Sequence, residues 1–176
     1  MTKKQRFAFC PKCGGALALR PRRERERLTC SACGYVMYEN PVVGVAAIVL
    51  DDENRILLGR RAGWSTYPGL WCIPCGYVEY DEDVYAAIKR EFCEETGLAI
   101  EVDGVFTVLS NWHNPAAHTV GVWFDASVTG GRLEAGDDLD AVAYFPLDAP
   151  PTLAFPTDAT VLAMLKRRLH SADGGI

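Results

Sequence analysis

Three glutamates in the middle of the chain have a spacing that can hold a metal ion. Glu91, Glu94 and Glu95 stand at positions i, i+3 and i+4, so on a helix they fall within an arc of about 100° on one face. Such carboxylates repel one another, and an acidic cluster is often only a solvated face. Here the nearby cations are Lys89 and Arg90. Mg²⁺ or Mn²⁺ would turn the repulsion into coordination, because both ions take oxygen ligands from carboxylates and phosphates.

The segment that carries these glutamates has the pattern of an amphipathic helix. Alanines and long charged residues from position 86 onward are good helix formers, and Gly97 stands where a left-handed C-terminal cap is expected. Tyr85, Ile88 and Phe92 form an apolar stripe beside the acidic face, which predicts burial against a sheet.

Four cysteines near the N-terminus, Cys10, Cys13, Cys30 and Cys33, form two CxxC pairs, each followed by glycine. This spacing predicts a zinc ribbon, in which Zn²⁺ has four sulfur ligands and no open position for catalysis. A segment of this size cannot bury enough apolar surface to fold alone. Structural zinc would supply roughly 10–16 kcal/mol.

The charge is divided unevenly along the chain. The net charge is −5, but residues 1–34 carry nine Lys and Arg against two Glu, a balance of +7 that leaves −12 for the rest. Such a division indicates two modules. The run RPRRERER at 20–27 suits either a phosphate-binding finger or a solvated hairpin, and we favour the hairpin because no aromatic residue is interleaved to stack on bases.

The remaining composition favours a cytoplasmic protein. No apolar run is long enough to cross a bilayer, and residues 1–10 lack a hydrophobic signal region. The seven cysteines are therefore expected to be reduced or metal-bound. A third CxxC at Cys72 and Cys75 suits either a redox or metal role or two small buried residues, and Cys93 is expected to be a buried helix thiol.

The glutamate helix also carries a recognisable motif. Gly76, Glu82, Arg90-Glu91-Phe92, Glu94-Glu95 and Gly97-Leu98 stand at the spacing of the Nudix box and fill each of its fixed positions, with Phe92 where an aliphatic residue is usual. The chain therefore resembles the Nudix hydrolases. A zinc ribbon joined to such a domain is similar to a subgroup that includes ADP-ribose and FAD pyrophosphatases.

The resemblance implies a fold and a division of the chain. We expect an α+β domain, a mixed sheet between helices in an α/β/α sandwich, at residues 39–176, preceded by a zinc ribbon at residues 1–38. Strands are predicted at 43–50 and 55–60, joined as a hairpin by the turn at 51–54. Further strands are predicted at 100–110, 119–128 and 141–147, with a helix from Asp158.

The resemblance also implies site residues. Glu91, Glu94, Glu95 and the Gly76 carbonyl would bind Mg²⁺ or Mn²⁺, with Arg90 orienting the glutamates and Glu82 stabilising the turn of the box. One box glutamate or a loop carboxylate would be the base. Candidates in the acidic loop are Glu134, Asp137, Asp138 and Asp140, and we select Asp138, although Ala141 stands near where several relatives have a glutamate. Trp71, Tyr77 and His113 are candidate substrate contacts.

The implied reaction is metal-dependent hydrolysis of a nucleoside diphosphate linked to another group, such as ADP-ribose or FAD, with a nucleoside monophosphate as product. NADH pyrophosphatases carry an SQPWPFP-type sequence after the box that VLSNWHNPAAHTVGVWF lacks, and Pro115 suits ADP-ribose pyrophosphatases. NADH or NAD-capped RNA hydrolysis, a non-catalytic ligand sensor and a nucleic-acid-binding module are the alternatives. A homodimer is left open.

Overall fold

The computed structural model describes residues 6–114 and 117–173, so the prediction for Pro115 lies outside the described residues. The chain divides into two compact units, the first ending at Asn40 and the second beginning at Pro41. Within the described part, neither helix combines the length and apolar character that a bilayer crossing requires.

The first unit is a three-stranded antiparallel sheet with two cysteine turns. Its strands are β1 (Leu17–Arg22), β2 (Arg25–Cys30) and β3 (Val36–Met37), in that order across the sheet. The glycines that follow the two CxxC pairs, Gly14 and Gly34, have φ of 73° and 72°. Only glycine adopts this conformation without cost, which explains why the sequence places it there.

The second unit contains a four-stranded mixed sheet between two helices, as predicted. Its strand order is β7 (Cys75–Tyr77), β4 (Val42–Ile48), β9 (Thr119–Gly131) and β8 (Leu98–Asn111). Strands β4 and β9 run parallel, and the other pairs are antiparallel. Alternating residues of β4 face opposite sides: Val45 and Ala47 pack with helix α1 (Val84–Thr96), and Ala46 and Ile48 pack with helix α2 (Pro156–Asp173).

A smaller antiparallel sheet has the order β10 (Leu139–Phe145), β5 (Ile56–Arg61) and β6 (Trp71–Cys72). The predicted hairpin of residues 43–60 is therefore wrong in its pairing. The turn is present, with Asn54 at φ 57°, but β4 and β5 lie in different sheets, and the two segments meet at an isolated bridge between Leu50 and Ile56. Both edges of β4 are already occupied by β7 and β9, so β5 pairs elsewhere.

Helix α1 is capped at both ends, and the cap at its C-terminal end is the predicted one. The Asp83 carboxylate accepts hydrogen bonds from the backbone N–H groups of Tyr85 and Ala86 at 2.9 and 3.3 Å, which caps the N-terminus. Gly97 ends the helix in the left-handed conformation, at φ 69°. Ile88 and Phe92 of the apolar stripe are fully buried, whereas Tyr85 is half-exposed and packs against Phe124.

Cys93 is exposed, so the prediction of a buried helix thiol is wrong. It lies about 140° around the helix from Ile88 and about 100° from Phe92, which are the residues that face the sheet. Its position on the outer side of α1 follows from that geometry.

Candidate active site

The three box glutamates of α1 have different environments. Glu95 is 1% exposed, and its Oε2 accepts a hydrogen bond from the backbone N–H of Cys75 at 2.8 Å. The Glu91 side chain is largely buried, and that of Glu94 is half-exposed. The helix therefore directs two carboxylates toward β7 and leaves the third near solvent.

Gly76 is required by the close approach of Glu91. A Cβ at this position would lie 2.0 Å from Cδ of Glu91 and 2.2 Å from its Oε2. No other residue type leaves space for the carboxylate beside β7. The first fixed position of the box is thus explained by packing between the strand and the helix.

Arg90 connects the glutamates to the turn that precedes the helix. Its Nε and Nη2 donate to the two carboxylate oxygens of Glu82, each at 2.8 Å, and Nη1 lies 2.9 Å from Glu91 and 3.0 Å from Glu94. Nη2 also donates to the carbonyl of Tyr77 at 3.3 Å. The hydrogen bonds from Arg90 lower the pKa of Glu82, so this pair stays ionised and holds the turn against the helix.

The loop before β10 brings a fourth carboxylate to the site. The backbone N–H groups of Glu134 and Gly136 donate to the last carbonyls of α1, those of Thr96 and Glu95, at 2.9 and 3.0 Å. These bonds satisfy helix carbonyls that would otherwise lack partners. The loop is therefore fixed to the end of α1, and Asp138 follows directly after Asp137, which has φ of 50°.

Asp138 lies between a buried arginine and Glu95. Its Oδ2 is 2.7 Å from Nη1 of Arg61, whose other nitrogens donate to Thr66. Its Oδ1 is buried and has no hydrogen-bond partner among the described residues. Burial, followed by the nearby Cys75 thiol and Asp138, raises the pKa of Glu95 well above its usual range. Burial likewise raises the pKa of Glu91, against the opposing effect of the nearby Arg90, so the arginines present only partly offset the burial of these carboxylates.

A cavity of about 840 Å³ opens onto this cluster, within the range of small-molecule sites. It is lined by Gly76, Glu91, Glu95 and Asp138 together with Tyr77 and His113. Six of the predicted site residues thus lie around one cavity. Glu94 and Trp71 are not among its lining residues.

Trp71 packs in the apolar core beside α2. Its ring meets that of Phe145 edge-on, with centroids 4.7 Å apart, and its backbone pairs with Arg60 in the small sheet. We therefore leave Trp71 out of the proposed substrate site. Glu94 reaches Arg90 and not the cavity.

Aromatic rings form another part of the cavity wall. Tyr67, His113 and Phe155 surround one another with ring centroids 5.5–5.8 Å apart. His113 is held by Asn111, whose side-chain oxygen contacts its Nδ1. His118, in contrast, stacks on Trp112 and does not line the cavity. Of this aromatic group, His113 was a predicted substrate contact; the aromatic loop at 61–71 that contains Tyr67 suited either stacking on a base or packing of the loop, and Phe155 was not predicted.

Sequence reasoning also missed two charged residues of the cavity, Arg61 and Asp158. Asp158 is 3% exposed, and its Oδ2 accepts the backbone N–H of Ile73 at 3.0 Å. Burial raises the pKa of its carboxyl group to about 7. No local pattern marks either residue, since Arg61 is the last residue of β5 and Asp158 lies in the first turn of α2.

The third CxxC lies outside the cysteine cluster that could hold a metal among the described residues. Cys72 is buried and Cys75 lines the cavity, but neither belongs to the four-sulfur cluster of the first unit. A hydrogen bond with Cys72, together with burial, raises the pKa of Cys75 well above its usual value. Cys75 is therefore expected to remain a protonated, weakly nucleophilic thiol.

In the first unit, the sulfurs of Cys10, Cys13, Cys30 and Cys33 lie within 4.8 Å of one another. Cys10 and Cys33 are 3.8 Å apart and Cys13 and Cys30 are 3.5 Å apart. Four sulfurs at about 2.3 Å from a tetrahedral zinc would be separated by about 3.8 Å. The donor set therefore fits zinc closely.

Comparison with known families agrees with this architecture. The model described as "NUDIX domain" matches residues 40–165, and the model described as "Nudix N-terminal", a zinc ribbon, matches residues 8–39. The chain belongs to the Nudix family.

Two Nudix relatives differ in how much of their length is matched. The ADP-ribose pyrophosphatase of Methanocaldococcus jannaschii is 38% identical over 122 residues, which is 69% of this chain and 71% of the relative. The NAD-capped RNA hydrolase NudC of Chromobacterium violaceum is 28% identical over 149 residues, which is 84% of this chain but only 53% of the relative.

A Nudix hydrolase structure from Nitrosomonas europaea covers 96% of this chain and 94% of its own, with 28% identity and a TM-score of 0.78. The family match, the relatives of this chain and this similar structure together identify the protein as a Nudix pyrophosphohydrolase.

Proposed function

We propose that the protein hydrolyses an adenine nucleoside diphosphate derivative, such as ADP-ribose or FAD, and releases AMP. The observation that carries the proposal is the cavity in which Gly76, Glu91 and Glu95 meet Asp138, whose buried Oδ1 has no hydrogen-bond donor in the part of the chain that the structure describes. The ADP-ribose pyrophosphatase activity of the Methanocaldococcus relative supports the choice of substrate.

The proposed ligands of Mg²⁺ or Mn²⁺ are the Gly76 carbonyl and the carboxylates of Glu91, Glu94 and Glu95. These are hard oxygen donors of the kind both ions prefer. Their fit rests on an excess of buried carboxylate, since burial raises the pKa values of both Glu91 and Glu95. When bound, the cation neutralises charge on the diphosphate and lowers the pKa of a water molecule. Glu94 would have to turn from Arg90 to contribute.

Asp138 is the proposed general base. Arg61 holds its Oδ2 at 2.7 Å, which leaves Oδ1 to accept a proton from water. The water oxygen attacks one phosphorus, the bridging P–O bond breaks, and the departing phosphate takes the bond's electron pair. Tyr67, His113 and Phe155 would contact the adenine ring or the ribose of the substrate.

The donor sets of the two units indicate different metals. We propose that Cys10, Cys13, Cys30 and Cys33 bind structural zinc, since soft thiolates in a closed tetrahedron suit zinc and exclude substrate. Reduced cysteines of this kind are consistent with a cytoplasmic protein.

The experiment measures AMP release from ADP-ribose, FAD and NADH with Mg²⁺ or Mn²⁺, with and without a chelator. Glu91→Gln and Glu95→Gln should each lower kcat by roughly a hundredfold while unfolding cooperatively like the wild type, because each keeps the shape and removes a charge. Glu101→Gln is the matched control, since Glu101 is exposed and its carboxylate contacts Lys89 at 2.8 Å.

Three results would contradict the proposal. Near-normal turnover in both box variants would exclude these glutamates as ligands. Equal or higher kcat/KM on NADH would overturn the substrate preference and favour the NADH or NAD-capped RNA alternative. Activity confined to nucleoside triphosphates would show that the cavity serves another substrate class.

A further inference from the structure

Strand pairing in the first unit brings four arginines to one face of the β1–β2 hairpin. Arg20 lies opposite Arg27, and Arg22 lies opposite Arg25. Residues that face each other across an antiparallel pair point to the same side of the sheet, and so do residues two apart. The other side carries Leu17, Leu28 and Cys30, which form the core of the unit. The hairpin therefore separates an apolar face from a basic one.

None of the ion pairs among residues 6–114 and 117–173 involves Arg20, Arg22, Arg25 or Arg27. Glu26 lies opposite Pro21 and so points to the apolar side. Like charges placed directly opposite each other destabilise a hairpin. The β1–β2 hairpin carries two such pairs.

An aromatic side chain lies beside the arginines. Strand β3 pairs Val36 with Thr29 of β2, so the alternation places Tyr38, just beyond β3, on the same side as Arg27. Tyr38 is 63% exposed, and the Arg27 guanidinium lies 5.2 Å from its ring centroid. No aromatic residue is interleaved in the basic run itself, but Tyr38, which follows β3, lies beside it.

We propose that this arginine face, formed by Arg20, Arg22, Arg25, Arg27 and Tyr38, binds single-stranded nucleic acid. Guanidinium groups form bidentate hydrogen bonds with phosphate. An exposed ring beside them can stack on a base, as rings do in single-strand binding proteins. Anionic lipid is a poorer fit, since the same face offers no large aliphatic side chain to insert into a bilayer. The proposal does not depend on which nucleotide the second unit hydrolyses.

The test measures fluorescence anisotropy of a labelled RNA of about twelve nucleotides with the full-length, zinc-loaded protein over a salt series. Four phosphate contacts predict a slope of log K against log salt near −2.8, at about −0.7 per contact for single strands. Arg22→Gln/Arg25→Gln should reduce the slope by about 1.4 and weaken binding about tenfold or more at 0.1 M salt. Both side chains are exposed at the hairpin end, so zinc content should be unchanged.

Matched variants separate this site from general attraction. Arg132→Gln/Arg167→Gln removes the same charge from exposed positions of the second unit and should leave affinity unchanged. Arg22→Lys/Arg25→Lys should keep the wild-type slope, because the slope counts charges. Tyr38→Ala should weaken binding at every salt concentration without altering the slope, and Tyr38→Phe should retain affinity. The tyrosine pair tests the face even if a hairpin variant loses zinc.

The outcomes that overturn the proposal are distinct. Equal losses in the Arg22/Arg25 and Arg132/Arg167 variants would show attraction without a site. Wild-type affinity in Tyr38→Ala, or no saturable binding of RNA at low salt, would also refute it. Binding to anionic phospholipid vesicles but not to RNA would assign the face to a membrane. The rate of ADP-ribose hydrolysis should be unaltered in the hairpin variants, so the loss or retention of RNA binding in them supports or refutes this proposal independently of the proposed hydrolase function.

Discussion

Gly76→Ala is expected to reduce activity far more than stability. The added Cβ would lie 2.0 Å from Cδ of Glu91, whereas ordinary van der Waals contact begins near 3.4 Å, so the carboxyl group must move by roughly 1.4 Å. The obstacle is the end of a flexible side chain. Moving it costs roughly 0.5–1.5 kcal/mol if the side chain leaves its preferred rotamer.

The same displacement acts strongly on catalysis. A misplacement of roughly 1 Å can lower a rate about a hundredfold, which corresponds to about 2.7 kcal/mol of transition-state stabilisation. We expect kcat/KM for ADP-ribose to fall by about that factor in Gly76→Ala. The melting temperature, measured by circular dichroism, should fall by only about 2–4 °C for each kcal/mol of lost stability.

Gly104→Ala is the matched control for this variant. Gly104 also lies in a strand of the large sheet, but a Cβ there meets no heavy atom within 4 Å. It should retain wild-type kcat/KM. The double variant Gly76→Ala/Glu91→Ala removes the obstacle, so it should be more stable than the sum of the single changes while remaining inactive. Near-normal turnover in Gly76→Ala, or an equal loss in Gly104→Ala, would refute the reasoning.

Two further predictions concern zinc and pH. Cys10→Ser should release zinc and unfold residues 1–34 while the second unit keeps its structure; metal analysis with hydrogen exchange checks this, and an ordered ribbon without zinc would contradict it. Compared with the wild type, the Asp158→Asn variant should become relatively more stable as the pH rises. The pKa of Asp158 is about 7 in the folded state and 3.8 in the unfolded state, so its contribution to stability is lost as the pH rises. The free energy of unfolding of the wild type should therefore fall by about 2–3 kcal/mol between pH 5 and 8, and that of the variant should not. Urea unfolding at both values measures the difference, and equal pH dependence would exclude a raised pKa.

The sequence was sufficient for features that depend on local spacing. The cap at Gly97 follows from conformations available to residues near each other along the chain, and so does the convergence of Glu91 and Glu95. Gly76 is an intermediate case. Its presence in the motif was visible, but its reason, the Glu91 carboxylate in the place of a Cβ, required the packing of α1 against β7.

Features that depend on distant pairing could not be obtained in this way. The strands flanking the turn at Asn54 look like a hairpin, because nothing local reveals that β4 pairs with β9 from much later in the chain. The same limit applies to Trp71. The composition of the segment that it ends suits a substrate loop, but its ring packs against Phe145 from another strand. The sequence alone does not place Tyr38 beside the arginines, because the pairing of β3 with β2 brings it there.

The charges around the cavity explain why a divalent cation is expected at this site. Arg90, the cation nearest to Glu91, uses two of its nitrogens on Glu82 and so holds the turn of the box. Arg61 contacts only one oxygen of Asp138, and the other is buried without a donor. Glu95 therefore has to take up a proton or share a cation. A bound metal ion would replace that proton, so metal affinity should rise with pH, and isothermal titration with Mn²⁺ should show protons released on binding. Binding without proton release would mean that Glu95 is already ionised and that another group compensates its charge.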